Sequence, residues 1–305
     1  MAALTAAVSG AATATRPRRR GGLVPLLLLA PALLWLVVFF VVPTISLASQ
    51  SLQTGDIDNG FTLTWNFAVY AEALGRYWQQ FLRSIIYAAS ATLGTLVLGY
   101  PLAWFIAHRS GRWKNVLLVL VVAPFFTNFL IRTLAWQIIL TDSGPVTGFF
   151  RATGLTTVLQ AVGLTDNNSL LGSQFAVISG LIYNFLPFMV LPLYTILERL
   201  DVRLLDAAHD LYADGWHTFW KVIWPLSLPG VVSGTLLTFI PAAGDYINSK
   251  LLGNTQTVMI GQVIDSQFLR VLDYPIAAAL SFILMAAIIV LVAGYVRAAG
   301  TEELV

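Results

Sequence analysis

Six long apolar runs constrain this chain more than any other feature: Leu23–Ser49, Ser84–Ala107, Asn115–Thr141, Gln174–Leu197, Leu228–Ile247 and Pro275–Val296. Each is close to or beyond the roughly 20 helical residues that cross about 30 Å of hydrocarbon. A soluble domain could not cover so much apolar surface. Only 10% of the 305 residues are charged and 57% are hydrophobic, against about 25% charged in a soluble domain. The expected fold is an all-α integral membrane protein with six transmembrane helices. Prolines such as Pro31, Pro43, Pro101, Pro124, Pro187, Pro192 and Pro241 lie within these runs. Membrane helices tolerate them when neighbouring helices or hydroxyl side chains satisfy the freed carbonyls.

Lys and Arg orient the bundle. The N-terminal segment (Arg16, Arg18, Arg19, Arg20), the second connection (Arg109, Arg112, Lys114), the fourth (Arg199, Arg203, Lys221) and the C-terminal segment (Arg297) hold eleven of the 17 basic residues. The positive-inside rule then puts both termini in the cytoplasm of a multi-pass inner-membrane protein. Residues 1–22 read as a disordered cytoplasmic tail. The apolar run after them is too long for a cleaved signal, so the permeating domain is expected over 23–297, with a second tail at 298–305. Two outer loops carry structure of their own. Phe61–Leu82 spaces Phe67, Tyr70, Leu74, Trp78 and Phe81 as an interfacial amphipathic helix, and Pro145–Leu164 reads as a short interfacial piece.

The fourth connection, Glu198–Pro225, is the most informative stretch. From Arg203 to Lys221 one helical face carries Leu204, Ala208, Leu211, Tyr212, Gly215 and Phe219, and the other Arg203, Asp206, Asp210, Asp214, His217 and Lys221. The spacing predicts one amphipathic helix or a pair broken near Gly215. Its apolar face must be buried against the bundle, the lipid interface or a partner protein. His209 lies off the acidic stripe, so His209 and His217 make a poor metal site and a solvated face is expected.

Here a family resemblance becomes specific. Asp206-Ala207-Ala208-His209-Asp210-Leu211-Tyr212-Ala213, followed by Phe219-Trp220-Lys221-Val222-Ile223-Trp224-Pro225, resembles the EAA loop of binding-protein-dependent ABC importer permeases. The sequence departs from that loop at three positions: Asp206 stands for Glu, Tyr212 for Gly and Trp224 for Leu. Asn128–Trp136, Tyr183–Tyr194 and Phe239–Tyr246 are similar to the first permease subunit of spermidine/putrescine importers. The resemblance covers about residues 25–297. It implies a permease fold whose coupling helix, within residues 203–225, docks into an ABC ATPase subunit through Asp206, Ala207, Ala208, Asp210, Leu211, Tyr212, Gly215, Phe219 and Pro225. It also implies a second permease subunit as heterodimer partner, an extracytoplasmic solute-binding protein, and a polyamine such as spermidine or putrescine as the solute, with another small solute carried by a permease of the same class as the alternative.

Candidate path residues follow from polar and aromatic side chains near spans. Asp245 beside Tyr246 can hold an ammonium with cation–π support, or can cap a helix or lie in outer solvent. Asn184 and Tyr183 are polar within the fourth span, suited to hydrogen bonds between helices or to ligand contact. Trp136 joins them as a candidate path residue. Arg132, beside it, is a candidate functional group in the membrane unless it snorkels or clamps a helix end. Only Lys114, Lys221 and Lys250 are present, and none lies in a phosphate-binding loop. The chain therefore is expected to carry no cofactor, with ATP and Mg bound by the partner ATPase, and to perform no covalent step. The small scattered basic charge gives no sign of nucleic-acid binding. A self-sufficient secondary transporter is the rival reading; it would show inverted repeats with interrupted helices, which are not evident.

Overall fold

The computed structural model describes residues 23–165 and 169–299. The expected tails, 1–22 and all but the start of 298–305, lie outside the described residues, as does the side chain of His209. The chain divides into two units between Leu47 and Ala48.

The first unit is helical. α1 (Leu23–Leu36) runs through one π-helical turn (Val37–Val41) into α2 (Val42–Ser51), where the Val42 amide reaches the Val37 carbonyl five residues back. Pro43 follows that turn. A proline leaves the carbonyl four residues earlier without a donor and crowds it with its ring, and the wider turn takes up the displacement.

In the second unit, β1 (Gln53–Asp56) and β2 (Gly60–Leu63) form an antiparallel hairpin with Gln53 opposite Leu63. The Asp56 carboxylate accepts hydrogen bonds from the amides of Asp58 and Asn59, at 3.1 and 2.7 Å. These bonds hold that carboxyl below its ordinary range. Gly60 supplies the positive φ of 81° that this tight connection requires. Phe61 therefore belongs to a strand, not to the expected interfacial helix. α3 (Ala68–His108) is a single run of 41 residues, kinked at Tyr77, that joins the expected interfacial helix to the second span. No breaker separates Leu82 from Ser84, so the helix continues.

The expected third span is two helices. α4 (Lys114–Val122) passes through a 3-10 turn (Ala123–Phe126) and stops. α5 (Phe129–Leu140) starts again bent by 97°. Pro124 sits in the turn, Thr127 is extended, and the Asn128 side chain accepts from the Leu130 amide at 2.8 Å, capping α5. α6 (Pro145–Ala152) and α7 (Leu155–Ala161) fold the segment expected as a short interfacial piece into two short helices.

α8 (Gln174–Glu198) is the central helix. It packs mainly against α3 and α11 (Trp224–Ala243). Close approach of α11 depends on Gly230 and Gly234. A Cβ on Gly230 would lie 3.2 Å from the Leu193 Cα and the Pro192 carbonyl oxygen, and one on Gly234 would lie 2.7 Å from the Met189 sulfur. This small-xxx-small spacing lets helices pack in a medium that offers no hydrophobic drive of its own.

α12 (Ile247–Leu252), α13 (Ile260–Ser266) and α14 (Tyr274–Ala299) complete the unit, and Val69, Ala73 and Phe81 of α3 pack against Ile260, Ile276 and Leu280. The fifth span ends at Ala243 rather than Ile247, because Gly244 and Asp245 break the helix. Among the described residues five helices are long and apolar enough to cross a membrane, or six where the bent pair 111–126 and 129–152 is one broken span.

Candidate functional site

The fourth connection folds as a helix pair. α9 (Val202–Asp210) begins where Asp201 accepts from the Arg203 amide at 2.9 Å, and α10 (Gly215–Thr218) begins at the cap Asp214. Between them the backbone reverses. The Ala213 amide donates to the Ala208 carbonyl at 3.0 Å, and Tyr212 takes a left-handed φ of 58°. This is the helix-ending geometry that glycine enters freely, and a tyrosine there is disfavoured by roughly 1 kcal/mol. Asp214 accepts from the His217 amide and ring at 2.7 and 2.6 Å, and these bonds hold its carboxyl below the ordinary range.

The two expected faces do not form one stripe. Ala208 is buried and Phe219 half-buried against the bundle, whereas Leu204, Gly215, Leu211 and Tyr212 face outward, with Tyr212 98% exposed. The break at 211–214 turns Leu211 and Tyr212 away from the bundle, and Phe219 returns to it. Asp206, Ala207 and Asp210 are exposed as well. A groove of about 690 Å³ lies between the two helices, lined among others by Ala207, Leu211, Tyr212, Asp214, His217 and Lys221.

The pair is fastened to the bundle by aromatic packing. α10 continues through a second π-helical turn (Phe219–Ile223) directly into α11, with Pro225 just beyond, as Pro43 is beyond the first. The fifth helix therefore starts at Gly215, not at Leu228. Tyr100 of α3 packs 5.6 Å from both the Phe219 and Trp224 rings. Its hydroxyl lies 2.8 Å from the buried Ser227 hydroxyl, which donates to the Trp224 carbonyl and so accepts from Tyr100. α10, the π turn and α11 are thereby one mechanical piece.

A second locus lies inside the bundle. The Asn184 side-chain amide donates to Thr133 at 3.3 Å and to the Asn248 side-chain carbonyl at 3.1 Å. It thus ties α8 to α5 and α12. Both asparagines are fully buried, and the Asn184 carbonyl and Asn248 amide have no partner among the described residues. Trp136 and Tyr183 stack beside them with ring centroids 5.3 Å apart.

Asp245 is also buried and accepts from the Asn248 amide at 2.7 Å, so it caps the start of α12. Tyr246 stands apart, 40% exposed, with the Lys250 ammonium 5.8 Å from its ring. Arg132 does not snorkel: it is buried, its guanidinium 5.5 Å from both the Phe125 and Phe129 rings. Asn248 is legible in the sequence as the amide beside Asp245 and Tyr246, whereas Thr133 is absent from the sequence-based candidates.

Long apolar helices, with a helical loop continuous with one of them, fit a membrane transport permease. The chain belongs to the family described as binding-protein-dependent transport system inner membrane component, which matches residues 99–299. Its sequence is 39% identical over 251 residues to the spermidine/putrescine transport system permease protein PotB of Salmonella typhimurium, covering 82% of this chain and 85% of that one. It is 35% identical over 266 residues to PotB of Haemophilus influenzae, covering 87% and 90%. A chain of a bacterial ABC transporter involved in import of the acidic polysaccharide alginate has the same fold, with TM-score 0.62 at 17% identity over 90% of this chain and 94% of that one.

Proposed function

We propose that this permease carries polyamines inward and is driven by a separate ATPase that grips the α9–α10 pair. The observation that carries the coupling reading is the joint at the head of α11: a solvent-facing helix pair that continues from α10 through a π turn into the long apolar helix it feeds. Force applied at Asp206, Ala207 or Leu211 passes through Phe219 and Trp224 into α11 and, through Tyr100 and Ser227, into α3. Closure of two ATPase copies then switches this chain and a second, similar permease from inward- to outward-open, and solute enters from a docked extracytoplasmic binding protein. ATP and Mg stay with the ATPase, and this chain needs no cofactor. Both termini and the loop face the cytoplasm, as the Lys and Arg bias supports.

Identity to the two PotB proteins supports a polyamine as the solute. The unpartnered Asn184 carbonyl offers an acceptor to an ammonium, with the Trp136 and Tyr183 rings beside it for cation–π attraction. Asp245 supplies negative charge two hydrogen bonds away, through Asn248, and Tyr246 is 40% exposed.

The docking surface is tested by Asp206→Lys and Ala207→Trp, a reversed charge and a large ring at exposed positions. Either should weaken ATPase association by a few kcal/mol, the scale of an interface hot spot, and abolish uptake while the permease stays folded. Wild-type co-purification and uptake in both variants would remove this helix from the interface. Uptake of labelled spermidine or putrescine, in cells lacking other importers, tests the solute; no uptake by the intact complex rejects it.

A further inference from the structure

We propose that Arg132 is a tethered cation that competes with the solute for the Asp245 carboxylate, so that only a solute bearing an ammonium group can take its place. The proposal rests on the polyamine reading above and names the residue that enforces it. Arg132 and Asp245 are the two buried charged side chains among the described residues, each 8% exposed, and their signs are opposite. Among those residues neither forms an ion pair, with the other or with a third group. A guanidinium keeps its charge wherever it is placed, and an isolated charge inside a membrane domain points to a functional partner.

The two residues flank one polar cluster. Thr133, which follows Arg132, and Asn248, whose amide donates to Asp245, both accept from the Asn184 side-chain amide. Arg132 and this cluster hold half of the buried side-chain polar atoms that lack a partner among the described residues: Arg132 Nε and Nη1, Asn184 Oδ1 and Asn248 Nδ2. Three of these four are donors, the complement of a carboxylate. Native interiors leave few such atoms, so their concentration here marks an arrangement that another state of the chain completes. In this structure the guanidinium is drawn back onto the Phe125 and Phe129 rings, 5.5 Å from each, at the break between α4 and α5. Ring faces attract a guanidinium without satisfying its N–H groups, which makes them a weaker seat than a carboxylate engaged by two hydrogen bonds. Once solute has left, the cation moves from the rings to Asp245; an arriving ammonium reverses the exchange. A neutral solute has no charge with which to displace it.

The assembled importer, permease pair and ATPase in lipid nanodiscs, is titrated with labelled spermidine. Arg132→Gln removes the competitor and should tighten spermidine binding about tenfold, the effect of freeing a site that is about 90% self-occupied. Arg132→Lys keeps the cation and should bind within about threefold of wild type. In an Asp245→Asn background Arg132→Gln should change affinity by less than about threefold, since no carboxylate is left to contest. Unchanged or weaker binding in Arg132→Gln overturns the inference, as does equal tightening in the Asp245→Asn background. Wild-type importer that binds no spermidine rejects the polyamine reading, and the inference with it. Should Arg132→Gln not assemble, Arg132→Met, uncharged and with an apolar stem, carries the same measurement.

Discussion

Asp245 shows how one residue can satisfy two demands. Its carboxylate caps α12 through the Asn248 amide and at the same time places a buried charge beside the Asn184–Asn248 pair. Asparagine caps a helix about as well as aspartate, so Asp245→Asn should keep the fold and lose only the charge. Polyamine uptake should fall with membrane abundance and ATPase association unchanged. Asp245→Ala also loses the cap and should lower stability by about 1 kcal/mol, read as an earlier thermal transition. Asp273 is the matched control. It accepts from the Ile276 amide at the start of α14 in the same manner, and Asp273→Asn should leave uptake untouched. Equal uptake by wild type and Asp245→Asn would remove the charge from the path. At this scale the sequence announced residue types but not their company. Asp245 was legible as a cap or a ligand, and only its distance to Asn248 shows that it caps.

Among the elements, the α8–α11 contact is the one a single side chain can break. The Gly230 Cβ position faces the backbone of Pro192 and Leu193, which cannot move aside as a side-chain tip can. Gly230→Leu should therefore separate the helices, at a cost on the order of 1–3 kcal/mol or more. The readout is a lower melting temperature in detergent and reduced recovery of monodisperse permease. Unchanged melting would show that α11 does not rely on this approach. The spacing Gly230-x-x-x-Gly234 is a readable signal for such packing. The break between α4 and α5 was less readable, because Pro124 and Asn128 sit inside a run whose hydropathy barely falls. Periodicity registers apolar content; it does not register a 97° change of direction made by one extended residue and one side-chain cap.

For the molecule as a whole, the proposed orientation and partnership make joint predictions. A fluorescent protein fused after Val305 should fold and fluoresce, since the cytoplasm permits its maturation; a dark but abundant fusion would place the C-terminus outside. Purification in mild detergent should bring down an ATPase and a second permease. A chain that transports while purifying alone would favour the secondary-transporter alternative.

The apolar runs, the Lys and Arg bias and the family are written in composition and local pattern. Length of apolar runs and placement of Lys and Arg are properties of consecutive residues, and the EAA-like loop lies within one short segment. Residues distant in sequence meet only through packing: Asn184 with Thr133 and Asn248, and Tyr100 with Phe219, Trp224 and Ser227. Backbone state at Tyr212 belongs to the same class, since an ordinary helix-forming run leaves its φ open until the chain reverses toward α11. Local free energies choose helix and membrane; the packing of α3, α8, α11 and α12 chooses which side chains work together.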